Sequence, residues 1–318
     1  MNDSTPIAVT SRSFSRHAVL RNELSERYSN VRFNDEGRSL RGNDLIEFAR
    51  GRQKLITALE TIDLEFLEAS PQLEVISKYG VGIDMLDLAA MARHGVRLGW
   101  TGGVNRRSVS ELTIAFMISL LRRVPQCSRD TRDGIWQNHT GVYLSTRTVG
   151  IIGCGHIGKD LVGLLNAFGC RVLVNDIRDY AEFYAEAGVE PMALDDLLRE
   201  SDVVSLHVPL DDSTRRILSA ERLGMMKPGA FLVNTARGGL VDEEAVKLAL
   251  MEGHLAGAAF DVFDAEPPQD AELLRHPNFL CTPHIGGSAE EAILAMGRAA
   301  IDGLDQHGLP TAEYVRDR

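Results

Sequence analysis

TVGIIGCGHIGKDLVGLL, residues 148–165, decides the fold. The β-branched, apolar start reads as a strand, and the stretch from His156 onward carries apolar residues at helical spacing. Between them lies Gly153-Cys154-Gly155-His156-Ile157-Gly158, a G-x-G-x-x-G at a strand-to-helix turn. Gly153 permits the tight turn, Gly155 lets backbone approach a pyrophosphate, and Gly158 lets helix and strand pack closely. The diphosphate of a dinucleotide would then rest on free N–H groups at the positive end of the helix dipole. Glycines alone are a weak signal; the strand before and the amphipathic helix after give them meaning. Cys154 and His156 are expected to offer backbone contact only.

The next strand, 171–175, ends at Asp176, 18 positions past Gly158. A carboxylate there accepts both ribose hydroxyls of NAD and repels the 2′-phosphate of NADP. Arg178 pulls the other way, since an arginine nearby accommodates that phosphate. Asp176 is given the greater weight, so NAD is the expected cofactor and an NADP-linked reductase the alternative. Further strands are expected at 203–206, 231–234, 257–262 and 279–282, which with 148–152 and 171–175 make the six of a doubly wound dinucleotide fold.

Upstream, short apolar runs at 7–10, 54–57, 74–77 and 96–98 alternate with helical segments. One of these helices, 16–27, places Val19, Leu20, Leu24 and Tyr28 on one face. Strands separated by helices imply a parallel sheet covered on both sides. The stretch 100–137 breaks the alternation with a Thr101-Gly102-Gly103 turn, an apolar helix near 109–122 and a polar connection, and reads as the hinge between two domains.

Composition is that of a globular chain: 318 residues, 44% apolar and 25% charged, suited to about two domains. The net charge of −11, with no basic stripe, argues against nucleic acid and anionic membrane. The longest apolar stretch, 112–121, is too short to span a bilayer, and the N-terminus shows no signal peptide. The four cysteines form no C-x-x-C pair, so neither metal nor disulfide is expected, and the cytoplasm is the expected compartment.

Three polar groups follow the cofactor motif, each just beyond the carboxyl end of a strand: Arg237 in NTARGGLVD, Glu266 in AAFDVFDAEPP and His284 in CTPHIGG. Ligands of open α/β sheets bind along that edge. Hydride transfer between a C2 alcohol and nicotinamide needs a group that takes or gives the hydroxyl proton, which suits His284. A carboxylate such as Glu266 orients the imidazole and favours its charged form. The Arg237 fork holds a substrate carboxylate.

These stretches, with SKYGVGID at 77–84, NRRSVSE at 105–111, HVPL at 207–210 and MKPGAFLVNTARGGLVDE at 226–243, resemble the D-isomer-specific 2-hydroxyacid dehydrogenases, in their phosphoglycerate dehydrogenase and hydroxypyruvate/glyoxylate reductase branch. The resemblance implies an α/β protein of two doubly wound parallel-sheet domains. A Rossmann NAD-binding domain, 100–287, would be inserted into a flavodoxin-like substrate domain formed by 1–99 plus 288–318. It makes Arg237, Glu266 and His284 the catalytic residues and gives Asp261 the nicotinamide carboxamide. Thr235 and Ala236 would line the nicotinamide half, and the Gly80-Val81-Gly82 turn would meet the substrate carboxylate. Ile157, Ile177, His207, Val208, Pro209, Thr214 and Gly286 complete the expected cofactor contacts. The chain would be a cytoplasmic homodimer acting on a small 2-hydroxy or 2-keto acid, with helix 109–122 in its interface and closure across the hinge expelling water. The branch usually has proline in the 101–103 turn and alanine at Ser110. Val81 stands where phosphite-oxidising relatives carry lysine. The end at Arg318 implies no C-terminal serine-sensing domain. A non-catalytic NAD(H)-sensing corepressor or scaffold on the same fold is the rival from another class.

Overall fold

The computed structural model describes residues 3–316. The chain forms two compact units, Met1–Asn105 with Ala289–Arg318, and Arg106–Ser288. The expected junctions, 99/100 and 287/288, lie a few residues off these. Trp100 is buried in the first unit, where its Nε1 donates to the Val81 carbonyl at 2.9 Å, and Val104 packs there too. Those contacts carry the boundary forward to the start of the next helix.

The first unit has strands β1 (Ile7–Val9), β2 (Val31–Phe33), β3 (Lys54–Thr57), β4 (Val75–Lys78) and β5 (Arg97–Gly99). They are parallel in the order β2-β1-β3-β4-β5, the flavodoxin-like arrangement. Strand β2 escapes sequence reading because it is a short edge strand whose Val31 and Phe33 are only half-buried. The expected helix 16–27 is broken at His17, whose extended backbone ends helix Arg12–Arg16 and whose Nδ1 caps Ala18–Arg27. Leu20, Leu24 and Tyr28 are buried, but Val19 is 43% exposed, against its expected place on the inward face. The helix Glu290–Asp302 packs on this unit through Met296, Ala300 and Ile301. Gly297 permits the close approach: a Cβ there would lie 2.3 Å from the Leu20 side chain.

The second unit has β6 (Thr148–Ile152), β7 (Arg171–Asn175), β8 (Glu190–Pro191), β9 (Val203–Leu206), β10 (Ala230–Asn234), β11 (Leu255–Phe260) and β12 (Phe279–Cys281). All are parallel, in the order β12-β11-β10-β9-β6-β7-β8. The sheet therefore grows in both directions from β6 and β9, as in the Rossmann order, and the glycine loop leaves β6 at the point of reversal. It has seven strands against the expected six. The extra one, β8, is a two-residue edge pairing where Pro191 costs no ladder bond.

Helix Arg106–Leu121 buries Val109, Thr113, Ile114, Phe116, Met117, Leu120 and Leu121, chiefly against the sheet and helix His156–Phe168. That apolar face is consumed by this unit's own core. Several exposed apolar side chains come later, on the segment Val124, Ile135, Trp136, Val142 and Tyr143, where Trp136 is 93% exposed. Part of the expected polar connection is itself a helix, Val124–Arg132, with no buried residue. Among the described residues no helix is long and apolar enough to cross a membrane.

Candidate active site

The glycine loop has the shape its spacing implies. Gly153 adopts φ 98°, and a Cβ there would lie 2.6 Å from the His207 carbonyl oxygen. At Gly158 a Cβ would meet the Gly153 carbonyl oxygen at 2.2 Å. A Cβ on Gly155 would meet nothing within 4 Å, so the loop is open at that residue. Helix His156–Phe168 starts from Gly155 with no side-chain cap, which puts the positive end of its dipole at the loop.

Asp176 follows β7. Its Oδ2 accepts the Cys154 N–H at 2.7 Å and its Oδ1 the Arg178 N–H at 2.8 Å, so the carboxylate ties β7 to the glycine loop. Each oxygen keeps a lone pair for a hydroxyl donor. Ile177 beside it is fully exposed. Burial, reinforced by Asp176, pushes the Cys154 thiol up to about 11, which removes it as a nucleophile. His207 follows β9, and its Nε2 pairs with Ser205 Oγ at 2.8 Å. Its buried Nδ1 has no protein partner, and burial depresses the imidazole to about 3, so it is neutral. Val208 is half-buried and Pro209 exposed. The Thr214 hydroxyl closes the next turn, donating to the Pro209 carbonyl at 2.7 Å and accepting the Asp211 N–H at 2.8 Å. An open glycine, an uncapped helix, an unpartnered ring nitrogen and a bare isoleucine fit a dinucleotide laid across this edge.

Arg237, Glu266 and His284 lie beyond the carboxyl ends of β10, β11 and β12. The Arg237 turn is held by Asn234, whose Nδ2 donates to the Arg237 carbonyl at 2.8 Å and whose Oδ1 accepts the Ala236 N–H at 3.1 Å. Gly238 lets this turn press on the loop that carries Glu266, since a Cβ there would fall 1.9 Å from the Phe263 carbonyl oxygen. Glu266 receives His284 Nδ1 at 2.9 Å on Oε2 and 3.2 Å on Oε1. Both side chains stay about two-fifths exposed, at 43% and 41%. With Nδ1–H given to the carboxylate, Nε2 is the ring atom free to exchange a proton with a ligand.

His284 has left-handed backbone, φ 55°, a strained state for a residue with a Cβ. Asp261, 1% exposed, holds it. The Asp261 carbonyl accepts the His284 N–H at 2.9 Å, while its carboxylate takes the Ile285 and Gly286 N–H groups, each at 2.7 Å, and the Thr282 hydroxyl. The expected carboxamide contact at Asp261 is thus one lone pair of a carboxylate already occupied with shaping the histidine loop. The Gly286 carbonyl in turn accepts Ser108 Oγ at 2.6 Å. Thr235 and Ala236 are buried, and Thr235 Oγ1 meets Thr113 Oγ1 at 2.9 Å.

Sequence reading passed over Asn234, Thr282, Ser108 and Thr113. Their signal is thin: small polar residues beside a turn or on an apolar helix, with partners up to 178 positions away. One unit, Arg106–Ser288, brings together every expected catalytic and cofactor residue. Gly80, Val81 and Gly82 belong to the other unit, in a turn just after β4 where Gly80 takes φ 115°. Ile157, in the first turn of its helix, accepts Ser110 Oγ at 3.4 Å through its carbonyl, so serine serves where the branch usually has alanine. Among the described residues no group of His, Cys, Asp and Glu could hold a metal ion.

Comparison with known proteins finds a match over residues 114–286 to the D-isomer specific 2-hydroxyacid dehydrogenase NAD binding domain. A glyoxylate reductase of Korarchaeum cryptofilum is 36% identical over 82% of this chain and 81% of its own. A D-3-phosphoglycerate dehydrogenase of Methanocaldococcus jannaschii is also 36% identical, over 80% of this chain, which spans about half (49%) of that longer protein. The crystal structure of TT0316 protein from Thermus thermophilus superposes with a TM-score of 0.83 at 35% identity, covering 94% of each chain.

Proposed function

We propose that this chain, which belongs to the D-isomer specific 2-hydroxyacid dehydrogenase family, interconverts a small D-2-hydroxy acid and its 2-keto acid through Arg237, Glu266 and His284. The observation that carries the reading is the His284–Glu266 pair at 2.9 Å, on the same sheet edge as an open glycine loop. Gly153, Gly155, Gly158 and the helix start at His156 and Ile157 would hold the NAD diphosphate. Asp176 would take the ribose hydroxyls, and Ile177, His207, Val208, Pro209 and Thr214 would flank the adenosine half. Thr235, Ala236, Asp261 and Gly286 would border the nicotinamide. NAD, when bound, supplies or accepts the hydride at C2.

The chain's own residues do the rest. Arg237, whose Nη1 donates to the Ala236 carbonyl at 2.7 Å, grips the substrate carboxylate through its guanidinium and fixes the C2 carbon in place. His284 Nε2 gives its proton to the C2 oxygen in reduction and recovers it in oxidation. Glu266 keeps Nδ1 protonated and offsets the positive charge that the ring carries between turnovers. Neutral His207 adds no charge to this edge.

Substrate choice within the class is open to direct assay, because relatives named for glyoxylate and for phosphoglycerate are equally similar at 36%. The test is a panel of glyoxylate, hydroxypyruvate and phosphohydroxypyruvate with NADH and NADPH, followed by loss of cofactor absorbance. Turnover with NADH of at least one 2-keto acid is expected. Tight NADH binding with no turnover across the panel would favour a sensor or scaffold instead. The four free cysteines suit the reducing cytoplasm. The exposed apolar side chains of Ile135, Trp136 and Tyr143 support a homodimer, since Trp136 at 93% exposure is a large apolar surface to leave in water. Light scattering should report twice the chain mass, and Trp136→Ala should weaken the association.

A further inference from the structure

A cavity of about 290 Å³ lies at the amino ends of β6, β9 and β10, the opposite edge of the sheet from Arg237, Glu266 and His284. Strands of four or five residues separate the two edges by roughly 13–17 Å, so the cavity is no part of the site described above. Its charged wall is Arg123, Arg147, Lys227 and one carboxylate, Asp202.

The last two satisfy each other. Lys227 Nζ lies 2.9 Å from Asp202 Oδ1, while Oδ2 accepts the Thr148 N–H at 2.8 Å. Two guanidinium groups remain, Arg123 and Arg147, and the second also helps to hold the Asp202 carboxyl below its usual range. Arg147 donates one Nη to Thr146 Oγ1 at 3.1 Å, but its buried Nε has no acceptor. Arg123 stands between two helices in left-handed backbone, φ 54°. A cationic pocket is a local exception in a chain of net charge −11, where unpaired cations are otherwise easily neutralised.

We propose that this cavity binds a small doubly charged oxyanion, an organic phosphate or a dicarboxylate, held by Arg123 and Arg147 with Lys227 at its rim. Guanidinium forks match such oxyanions and lose less entropy per bond than lysine does. The volume sits at the small end of organic-ligand pockets, roughly 300–1,000 Å³, which suits a three- or four-carbon acid. Strands β6, β9 and β10 run from the cavity to the glycine loop, His207 and Arg237, so the bound anion lies on the far side of the sheet from those residues.

The test is calorimetric titration of the NADH-saturated protein with inorganic phosphate and, separately, with succinate at fixed ionic strength. One site per chain is expected for at least one of them, and the tighter binder identifies the ligand class. Affinity should fall tenfold or more in Arg147→Gln and in Arg123→Asn. Asparagine tolerates the left-handed backbone, so the second variant guards against a mere folding failure. Arg237→Ala should keep the site. Binding of neither anion, or unchanged affinity in Arg123→Asn, would overturn the proposal.

Discussion

Acid should destabilise this protein through His207, and by an amount the structure sets. Burial holds the folded imidazole neutral down to about pH 3. In the unfolded chain the same ring takes up a proton near pH 6.5. Between those values the unfolded state binds one more proton, so stability falls on acidification by about 1.4 kcal/mol per pH unit. From pH 7 to about pH 4.5 the loss begins only below 6.5, and its share from this one residue is about 2.7 kcal/mol. His207→Gln keeps an amide to meet Ser205 Oγ, now 2.8 Å from the ring, and removes the titration. The variant should be the less stable protein at neutral pH, because its fit is poorer. Its deficit should then shrink by about 2.7 kcal/mol at the acid end, since the other titrating groups are common to both proteins. Urea unfolding across that range, followed by fluorescence in both proteins, measures the difference directly. A deficit that stays constant with pH would show that folded His207 takes up a proton as readily as the unfolded one.

Other substitutions separate binding from chemistry. His284→Ala should slow keto-acid reduction by roughly 10²–10⁴-fold with NADH affinity unchanged in a fluorescence titration, and a near-normal rate would remove the ring from proton transfer. Glu266→Gln should lower kcat less than that, with KM nearly constant, since it disturbs the ring and not the carboxylate grip. Gly158→Ala should lower stability by roughly 1–3 kcal/mol in thermal denaturation, because its Cβ would meet the Gly153 carbonyl at 2.2 Å. Gly155→Ala, with open space around the new Cβ, should melt like the parent yet bind NADH more weakly; equal effects of the two alanines would contradict the assigned roles. Asp176→Ala should narrow the preference for NADH over NADPH in steady-state kinetics, and an unchanged ratio would release the carboxylate from the ribose.

What the sequence disclosed and what it hid divide along a physical line. A strand, a turn and a helix in immediate succession write the glycine loop into eighteen contiguous residues, 148–165, so local rules suffice to read it. Arg237, Glu266 and His284 are legible for a related reason: each closes a strand, and parallel strands deliver their ends to one edge wherever they fall in the sheet order. Edge strands β2 and β8 write no such pattern, because a half-buried pair of apolar residues or a two-residue bridge leaves hardly any periodicity. Asp261 is the more instructive case. As sequence it is one aspartate in AAFDVFDAEPP, with another three positions on at Asp264. In the fold it is 1% exposed and accepts N–H groups from two residues more than twenty positions away, while Asp264 stands in solvent. Hydrogen bonds to a buried carboxylate contribute about 1.5–3 kcal/mol each, enough to hold His284 in a left-handed conformation that costs roughly 1–3. The ring's position therefore depends on a residue that need not touch the substrate to matter. Asp261→Asn, which must turn an N–H₂ group toward one of those donors, should lower kcat by loosening the His284 loop while leaving the Glu266 carboxylate intact.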